Sequence, residues 1–338
     1  HKLHMEEDAG KTKNAGRERL IDFNRCGVPL VEMVTGPDLR SADEAAQYLI
    51  RLRQLLRWIG VSEADMEKGH LRCDANVSIR PRGADYLNPK TEIKNVNSIE
   101  AVRDAIEHEA ARQIREVEAG NRIEAWTLEW DEDAGVLRKM RSKETEADYR
   151  YFREPDLLSL PVTDEWKERV LAGLPELPLE RRARFMQAYG LPEYDADILT
   201  GERNLSDYFE AAVQAYGGDP KRVSNWLMND LLRMLNDTGR TADQLKVTPQ
   251  YLAEILKLVD ANTVNTSTGK NLLAKVDQSG KAPRAIVEEE GLAQVSDDSA
   301  IRAVVQEVLN ESAKEVESYR AGKVTLMGWF VGQVMKKM

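Results

Sequence analysis

The sequence predicts an α+β fold, with strands and helices together in its first part and helices alone in the rest. Residues 1–158 combine short strand-like runs with two amphipathic helical patterns, and strand signals stop near residue 164. Helices interleaved with antiparallel hairpins are typical of α+β domains. The length of 338 residues allows two or three domains.

The run LRCDANVSIR at 71–80 has the clearest strand pattern. Successive side chains of a strand point to opposite faces. The apolar set comprises Leu71, Cys73, Ala75, Val77 and Ile79, and the polar set comprises Arg72, Asp74, Asn76, Ser78 and Arg80. A face with two guanidiniums, a carboxylate and an amide predicts the floor of a polar cleft. The alternative is an ordinary solvent-facing sheet, which alternates in the same way.

Other elements of the first part follow from capping and alternation. Strands are expected at 21–23, 29–34 and 91–96, and a hairpin at 126–130 and 136–140. Ser41 and Glu44 form a capping box that opens a helix ending near Gly60. Asn97 or Ser98 caps a second helix, which ends at Gly120.

The remaining chain is predicted to be helical, with breaks at Pro and Gly. After a linker at 174–178, helices are expected near 179–189, 205–216, 220–237 and 249–260. Shorter helices follow between Gly280, Gly291 and Gly322. We therefore divide the chain into domains at 1–160, 161–261 and 262–338.

Composition and charge exclude several classes of protein. The net charge of −10 disfavours broad non-specific nucleic-acid binding but leaves room for a local basic patch. No run approaches the roughly 18 apolar residues that span a bilayer. Cys26 and Cys73 lie far apart and suit a reducing compartment, a bacterial or archaeal cytoplasm or else an organelle. The abrupt start at His1 and the apolar stretch before the end lead us to expect missing residues at both ends.

Acidic residues in the first hundred positions predict a Mg²⁺ site. This ion prefers oxygen ligands and binds through one or two carboxylates together with substrate phosphates. His4 adds a nitrogen ligand or a proton carrier. The alternative is a solvated acidic turn at 6–8. The acidic candidates are Glu6, Glu7, Asp8, Glu32, Asp74 and Glu92.

Lys11 is a candidate phosphate contact, although not within a P-loop. The Walker motif that ends in Gly-Lys-Thr needs a glycine where this chain has Met5. The acidic residues just before Lys11 would also repel phosphate unless a metal ion intervened. The segment therefore predicts a metal-bridged nucleotide site.

Two further segments predict anion binding. Glu92 and Lys94 share one face of an expected strand, which continues through Asn95 into a helix N-terminus whose N–H groups attract anions. The stretch 138–153 interleaves cations, Arg150 among them, with aromatic residues, which suits phosphate contact and base stacking, or else a charged hairpin edge. No Cys–His pair or nucleophilic triad is visible, which argues against a covalent hydrolase.

Taken in order, these motifs resemble the B subunit of the aspartyl/glutamyl-tRNA amidotransferase family (GatB). The segments are HMEEDAGK at 4–11, DFNR at 22–25, GVPLVE at 27–32, LRCDANV at 71–77, EIKN at 92–95 and DYRYF at 148–152. The segment GWFVGQVM at 328–335 is similar to the end of that family's YqeY-like tail domain. The family's opening Gly-Leu-Glu-x-His strand and its last helix have no counterpart in this sequence.

The resemblance implies a fold, an activity and partners. The fold would be a mixed or antiparallel sheet cradle, an all-α helical domain and a small helical tail that contacts tRNA. In complex with subunits A and C, the GatB protein would use ATP and Mg²⁺ to phosphorylate the side-chain carboxylate of Glu-tRNA(Gln) or Asp-tRNA(Asn). Ammonia released from glutamine in the glutaminase subunit would then displace phosphate. The chain would thus be a carbon–nitrogen ligase without membrane contact.

The resemblance also suggests roles for individual residues. Metal ligands would be Glu7, Glu32, His4 and Glu6, and catalytic residues would be Glu7, Asp74, Glu92 and Lys94. ATP or its phosphates would contact Lys11, Arg72, Asn76, Asn95 and Arg150. Cations of the tail that would contact tRNA are Lys270, Lys275, Lys281, Arg284 and Lys323.

Two rival functions remain open on the sequence. A non-catalytic tRNA-binding scaffold could keep the same surface as a docking site for an amidase, although the retained Glu7, Asp74 and Lys94 argue against it. A stand-alone carboxylate–amine ligase would need no long helical tail. The sequence does not choose between glutamate and aspartate as the substrate side chain.

Overall fold

A computed structural model describes residues 2–16, 18–142, 158–294 and 298–337. The chain divides into two compact units, His1–Ala172 and Gly173–Met338. Strands and helices share the first unit, and the described residues of the second unit form helices and their connections. The predicted α+β class is therefore confirmed. The division into three domains stays a prediction.

Two small antiparallel ladders open the first unit. Strand β1 (Lys2–Glu7) pairs with β4 (Pro29–Val34), and β2 (Lys11–Ala15) pairs with β3 (Glu18–Asp22). The sequence predicts β4 and part of β3 but neither β1 nor β2. Both missed strands are rich in charged residues, because a two-stranded ladder leaves side chains on both faces in contact with water and needs no apolar alternation.

Two sequence predictions for this region are corrected by the ladders. The alternative of a solvated turn at 6–8 is wrong for Glu6 and Glu7, which lie in β1. The strand expected at 21–23 lies earlier, and Phe23 follows it in a turn closed by the Cys26 N–H donating to the Phe23 carbonyl.

A four-stranded mixed sheet forms the body of the first unit. Its order is β5 (Cys73–Val77), β6 (Thr91–Val96), β7 (Trp126–Asp131) and β8 (Val136–Ser142). Strands β6 and β7 run parallel, and the other neighbouring pairs are antiparallel. The strand predicted at 71–80 is shorter than expected, but its alternation is confirmed by the burial along β5.

Two amphipathic helices cover the apolar face of this sheet. Helix α1 (Ala42–Trp58) packs on α2 (Ile99–Glu118), which contacts β5, β6 and β8. Ser41 and Ser98 cap the two helices by accepting hydrogen bonds from N–H groups in their first turns. The shared core comprises Leu49, Ala75, Val77, Ile93, Val96, Ala101, Val102, Ala105 and Trp130. The opposite face of the sheet is left to polar side chains.

A bulge in β6 shapes that polar face. Cys73 of β5 pairs with Val96, but Ala75 pairs with Ile93, so β6 carries one extra residue between these pairs. Asn95 adopts a left-handed conformation there, with φ of 60°. Asparagine tolerates this conformation better than most residues. The extra residue lets Ile93 and Val96 both face the core while Lys94 and Asn95 stay accessible.

Helices form the second unit, and α3 lies at the boundary. Their bounds are α3 Asp164–Gly173, α4 Pro178–Tyr189, α5 Glu193–Leu199, α6 Arg203–Tyr216, α7 Pro220–Trp226, α8 Leu232–Thr238, α9 Pro249–Asp260, α10 Thr266–Ser279, α11 Pro283–Glu289, α12 Asp298–Glu311, α13 Ala313–Arg320 and α14 Leu326–Lys337. The helix expected at 220–237 is interrupted by a π-helical turn at Leu227–Leu231. None of the helices in the described ranges combines the length and apolar character that a membrane crossing requires.

Candidate functional site

A histidine and two carboxylates converge on one face of the β1–β4 ladder. His4 and Glu6 are two residues apart on β1, so their side chains leave the strand on the same face. Glu32 of β4 lies directly opposite His4 in the antiparallel register. Residues that face each other across an antiparallel pair have neighbouring side chains. Strand geometry alone therefore brings the three side chains together.

These three side chains contact one another. His4 Nε2 lies 3.1 Å from Glu6 Oε1 and forms a hydrogen bond with Glu32 Oε2. One ligand atom from each residue lies within 4.8 Å of the other two. A divalent cation binds oxygen ligands at about 2.1 Å for Mg²⁺, and imidazole is a ligand for several divalent metals. The donor set and its spacing therefore fit a divalent cation.

Glu7 leaves β1 on the other face of the ladder. It is exposed, and its partner across the ladder is Pro29. Strand alternation separates its side chain from those of His4 and Glu6. The structure gathers the other predicted metal ligands but not Glu7, whose metal and catalytic roles stay predictions.

Asp8 connects this ladder to Arg72, which precedes β5. Arg72 Nη2 donates a hydrogen bond to Asp8 Oδ2 at 2.8 Å, and Arg25 Nε donates to the same oxygen at 2.9 Å. The sequence places Asp8 among candidate metal ligands and gives no sign of this double pairing. The partners are 17 and 64 positions away in the chain, so only the fold reveals them.

An acid–cation–acid group lies on the polar face of the four-stranded sheet. Lys94 Nζ contacts Asp74 Oδ2 and lies 3.5 Å from Glu92 Oε1. Glu92 is buried, and Thr127 Oγ1 on the neighbouring strand donates to Glu92 Oε2 at 3.4 Å. The structure thus brings together three of the four residues predicted to be catalytic.

The charge of Lys94 is set by these neighbours. Partial burial alone would lower the pKa of Lys94, but the hydrogen bond to Asp74 and the nearby carboxylate charges outweigh burial and raise it. A lysine whose pKa is raised above its ordinary value is protonated at neutral pH. Lys94 is therefore a fixed cation beside two carboxylates.

Asn95 and Asn76 flank this group. Asn95 Nδ2 donates to Glu129 Oε1 at 2.5 Å, and Asn76 lies opposite Glu92 in the ladder. The sequence does not single out Glu129 or Thr127. The signal that could have found both is the alternation in β7, where they lie between the apolar residues at 126, 128 and 130.

The other predicted phosphate contacts are more scattered. Lys11 is exposed at the start of β2, opposite Asp22. Because it begins a strand, it does not lie in a glycine-rich loop, which agrees with the rejection of a P-loop. Arg150 lies outside the described residues. The roles of both stay predictions.

Four of the five cations predicted to contact tRNA form ion pairs within the second unit. Lys270 pairs with Asp230, Lys275 with Glu290, Lys281 with Glu289, and Arg284 with Glu254. Lys323 follows α13 and is exposed. Ion pairs between exposed groups contribute little stability and exchange readily. The pairs therefore leave tRNA contact as a prediction but add competing carboxylates.

The chain matches two family models. One is described as the GatB/GatE catalytic domain and covers residues 1–168, and the other is described as the GatB domain and covers residues 207–338. Together they account for most of the chain. The catalytic-domain match contains the ladder with His4 and Glu32 and the whole four-stranded sheet.

Curated relatives match along nearly the full chain. The B subunit of aspartyl/glutamyl-tRNA(Asn/Gln) amidotransferase from Thermodesulfovibrio yellowstonii is 47% identical over 336 residues, which cover 99% of this chain and 70% of the relative. The protein of the same name from Myxococcus xanthus is 48% identical over 339 residues, covering 100% and 71%. The predicted resemblance is confirmed, and the chain belongs to the GatB family, the B subunits of aspartyl/glutamyl-tRNA(Asn/Gln) amidotransferases.

Proposed function

We propose that this chain is the component of a tRNA-dependent amidotransferase that activates a side-chain carboxylate with ATP and amidates it. The substrate would be Glu-tRNA(Gln) or Asp-tRNA(Asn). Within a complex with subunits A and C, ammonia would come from the first of these, the glutaminase. The observation that carries the proposal is the convergence of His4, Glu6 and Glu32 in a chain whose relatives are named as the B subunit of this enzyme.

Mg²⁺ would be held by the imidazole of His4 and the carboxylates of Glu6 and Glu32. A bound divalent cation neutralises charge on phosphate oxygens. The protein's own contribution is to fix the ligands. The ladder register sets Glu32 against His4, and the two-residue spacing on β1 sets Glu6 beside it.

Phosphoryl transfer from ATP to a carboxylate joins two anions, so the site needs cations from the protein. Catalysis of this reaction class rests on positioning and charge neutralisation. Lys94 would supply a fixed positive charge, because Asp74 and Glu92 keep it protonated. Arg72 would supply a planar guanidinium, which binds phosphate oxygens in pairs.

The proposed reaction has two steps. An oxygen of the substrate carboxylate attacks the γ-phosphorus, and the bond to the β-phosphate oxygen breaks to give an acyl phosphate and ADP. Ammonia then attacks the acyl carbon, and phosphate leaves with the former carboxylate oxygen while nitrogen loses a proton. Asp74 and Glu92, which line the polar face, are the candidate acceptors of that proton.

Reconstitution with subunits A and C tests the proposal. Ammonium chloride in place of glutamine isolates the step assigned to this chain from glutamine hydrolysis. We expect amidation of mischarged tRNA that requires ATP and Mg²⁺ and is lost in Glu32→Gln. Amidation that proceeds without ATP, or at an unchanged rate in Glu32→Gln, would contradict the proposal, and unchanged ATP cleavage in that variant would favour the scaffold alternative.

A further inference from the structure

The backbone of Asp8 is fixed at the end of β1. The Asp8 N–H donates to the Val28 carbonyl at 2.9 Å, and the Gly27 N–H donates to the Asp8 carbonyl at 2.9 Å. These bonds extend the β1–β4 ladder by one position beyond Glu7. Residues two apart on a strand share a face and lie about 7 Å apart. The side chain of Asp8 therefore follows those of His4 and Glu6 along the same face.

A single oxygen of Asp8 accepts three hydrogen bonds from two guanidiniums. Arg25 donates from Nε at 2.9 Å and from Nη2 at 2.5 Å, and Arg72 donates from Nη2 at 2.8 Å. The Asp8 side chain is only 16% exposed, whereas those of Arg25 and Arg72 are 52% and 49% exposed. A carboxylate between two cations has no need of a metal ion, so Asp8 differs in role from the acidic residues before it.

We propose that Asp8 is a positioning residue that holds Arg72 beside the His4–Glu6–Glu32 cluster, where its guanidinium meets the phosphates of ATP. The inference rests on the proposed function. A guanidinium carries five N–H donors in a fixed plane, so Arg72 can bind Asp8 on one edge and phosphate oxygens on another. The pairing also spans two sheets, because Asp8 extends the β1–β4 ladder while Arg72 leads into β5.

A double-mutant cycle on the reconstituted complex tests this role. The variants are Asp8→Ala, Arg72→Ala and the combination, and the measured quantities are KM for ATP and KM for ammonium during amidation. Charge-assisted hydrogen bonds to a guanidinium are strong, so we expect Asp8→Ala to raise KM for ATP about tenfold and to leave KM for ammonium unchanged. In the Arg72→Ala background the same change should alter KM for ATP by less than about twofold.

Two further variants make the result interpretable. Asp8→Asn keeps the size of the side chain and serves in the same cycle if Asp8→Ala lowers the melting temperature. Asp104→Ala is the matched control, because Asp104 pairs with Arg103 at 3.1 Å on the surface of α2. Its KM for ATP should equal that of the unmodified chain.

The outcomes separate this inference from the proposed function. If the unmodified complex shows no ATP-dependent amidation, the proposed function fails. If it is active but Asp8 variants raise KM for ATP equally with and without Arg72, Asp8 does not act through Arg72. An unchanged KM for ATP in Asp8→Ala would also overturn the inference.

Discussion

His4 and Glu32 lie opposite each other in the β1–β4 register, and the imidazole of His4 bonds to the carboxylate of Glu32. The two residues are 28 positions apart, so the pair forms only when the ladder forms. Two-stranded ladders are marginally stable by themselves. A cation bound between His4 and Glu32 would stabilise the folded ladder by mass action. Metal binding and the folding of this ladder are therefore coupled.

Hydrogen exchange measures this coupling. We expect Mg²⁺ to slow exchange of the β1 and β4 amides, and Glu32→Gln to raise the Mg²⁺ concentration for half-maximal protection at least tenfold, because a charged ligand is lost. Glu18→Gln, which changes an exposed strand carboxylate on β3, is the control. Equal protection in the two variants would contradict a metal site at Glu32.

Replacements of Asn95 test the bulge in β6. Asn95→Gly keeps access to the left-handed conformation, whereas Asn95→Val forces a β-branched residue to φ of 60°. The valine variant should be less stable than the glycine variant by about 1–2 kcal/mol in urea denaturation. The same pair of changes at Asn76, in regular β5, should show the reverse order, because valine suits an extended strand. A valine variant at Asn95 as stable as the glycine variant would contradict the bulge.

The buried carboxylate of Glu109 holds α2 to the sheet. It accepts hydrogen bonds from Thr91 Oγ1 at 2.7 Å, Gln113 Nε2 at 2.8 Å and Arg112 Nε at 2.8 Å. Burial alone would raise the pKa of Glu109, but these bonds outweigh burial and lower it. Glu109→Ala should lower the free energy of unfolding by about 3 kcal/mol, since it leaves buried donors without an acceptor. Chemical denaturation beside Glu107→Ala, an exposed change on the same helix, checks this, and equal losses in the two variants would be the contrary result.

Glu210 makes the second unit sensitive to acid. Burial alone would raise the pKa of Glu210, but hydrogen bonds from Arg184, Tyr189 and Arg181 lower it from the usual 4.5 to about 2. A lowered carboxyl pKa stabilises the fold above the unfolded value, and the contribution is lost as the pH falls from 4.5 toward 2. It amounts to about 3 kcal/mol.

Urea titrations across this pH range check the role of Glu210. Glu210→Gln should reduce the free energy of unfolding at neutral pH and flatten its decline between pH 4.5 and 2. Glu180→Gln, at an exposed position of α4, should keep the full decline. A decline of the same size in Glu210→Gln would show that other carboxylates cause the acid sensitivity.

The paired lysines of the second unit test tRNA contact. Lys275 and Lys281 face Glu290 and Glu289. If both lysines bind phosphate, changing both to alanine should weaken tRNA binding and make its salt dependence shallower by about 1–2 in slope. Fluorescence anisotropy of the reconstituted complex at several salt concentrations measures both effects. An affinity no lower than that of Lys314→Ala, an exposed cation of α13, would contradict the contact.

The sequence predicts those elements whose signals are local. Ser41 and Ser98 begin their helices as capping predicts, and the alternation in β5 separates buried Ala75 and Val77 from exposed Asp74 and Asn76. A cap and a two-residue period each depend on neighbours within one turn or one strand. These elements therefore follow from the sequence without knowledge of the rest of the fold.

Features that depend on distant partners do not follow from the sequence. Strand β1 exists because β4 pairs with it, and its charged residues carry no apolar alternation. The bulge at Asn95 depends on the register with β5, and the pairing of Asp8 with Arg72 joins residues 64 positions apart. For the site, the sequence proposes the right residue types, but only the register decides that Glu6 rather than Glu7 lies beside His4.

The most direct test of the central claim follows the oxygen of the substrate carboxylate. Mischarged tRNA with an isotopically labelled side-chain carboxylate is amidated by the reconstituted complex with ammonium as the nitrogen source, and the released inorganic phosphate is analysed by mass spectrometry. Activation through an acyl phosphate predicts one labelled oxygen in phosphate for each amide formed, and none above background when Glu32→Gln replaces the unmodified chain. Amide formation with unlabelled phosphate would contradict the account.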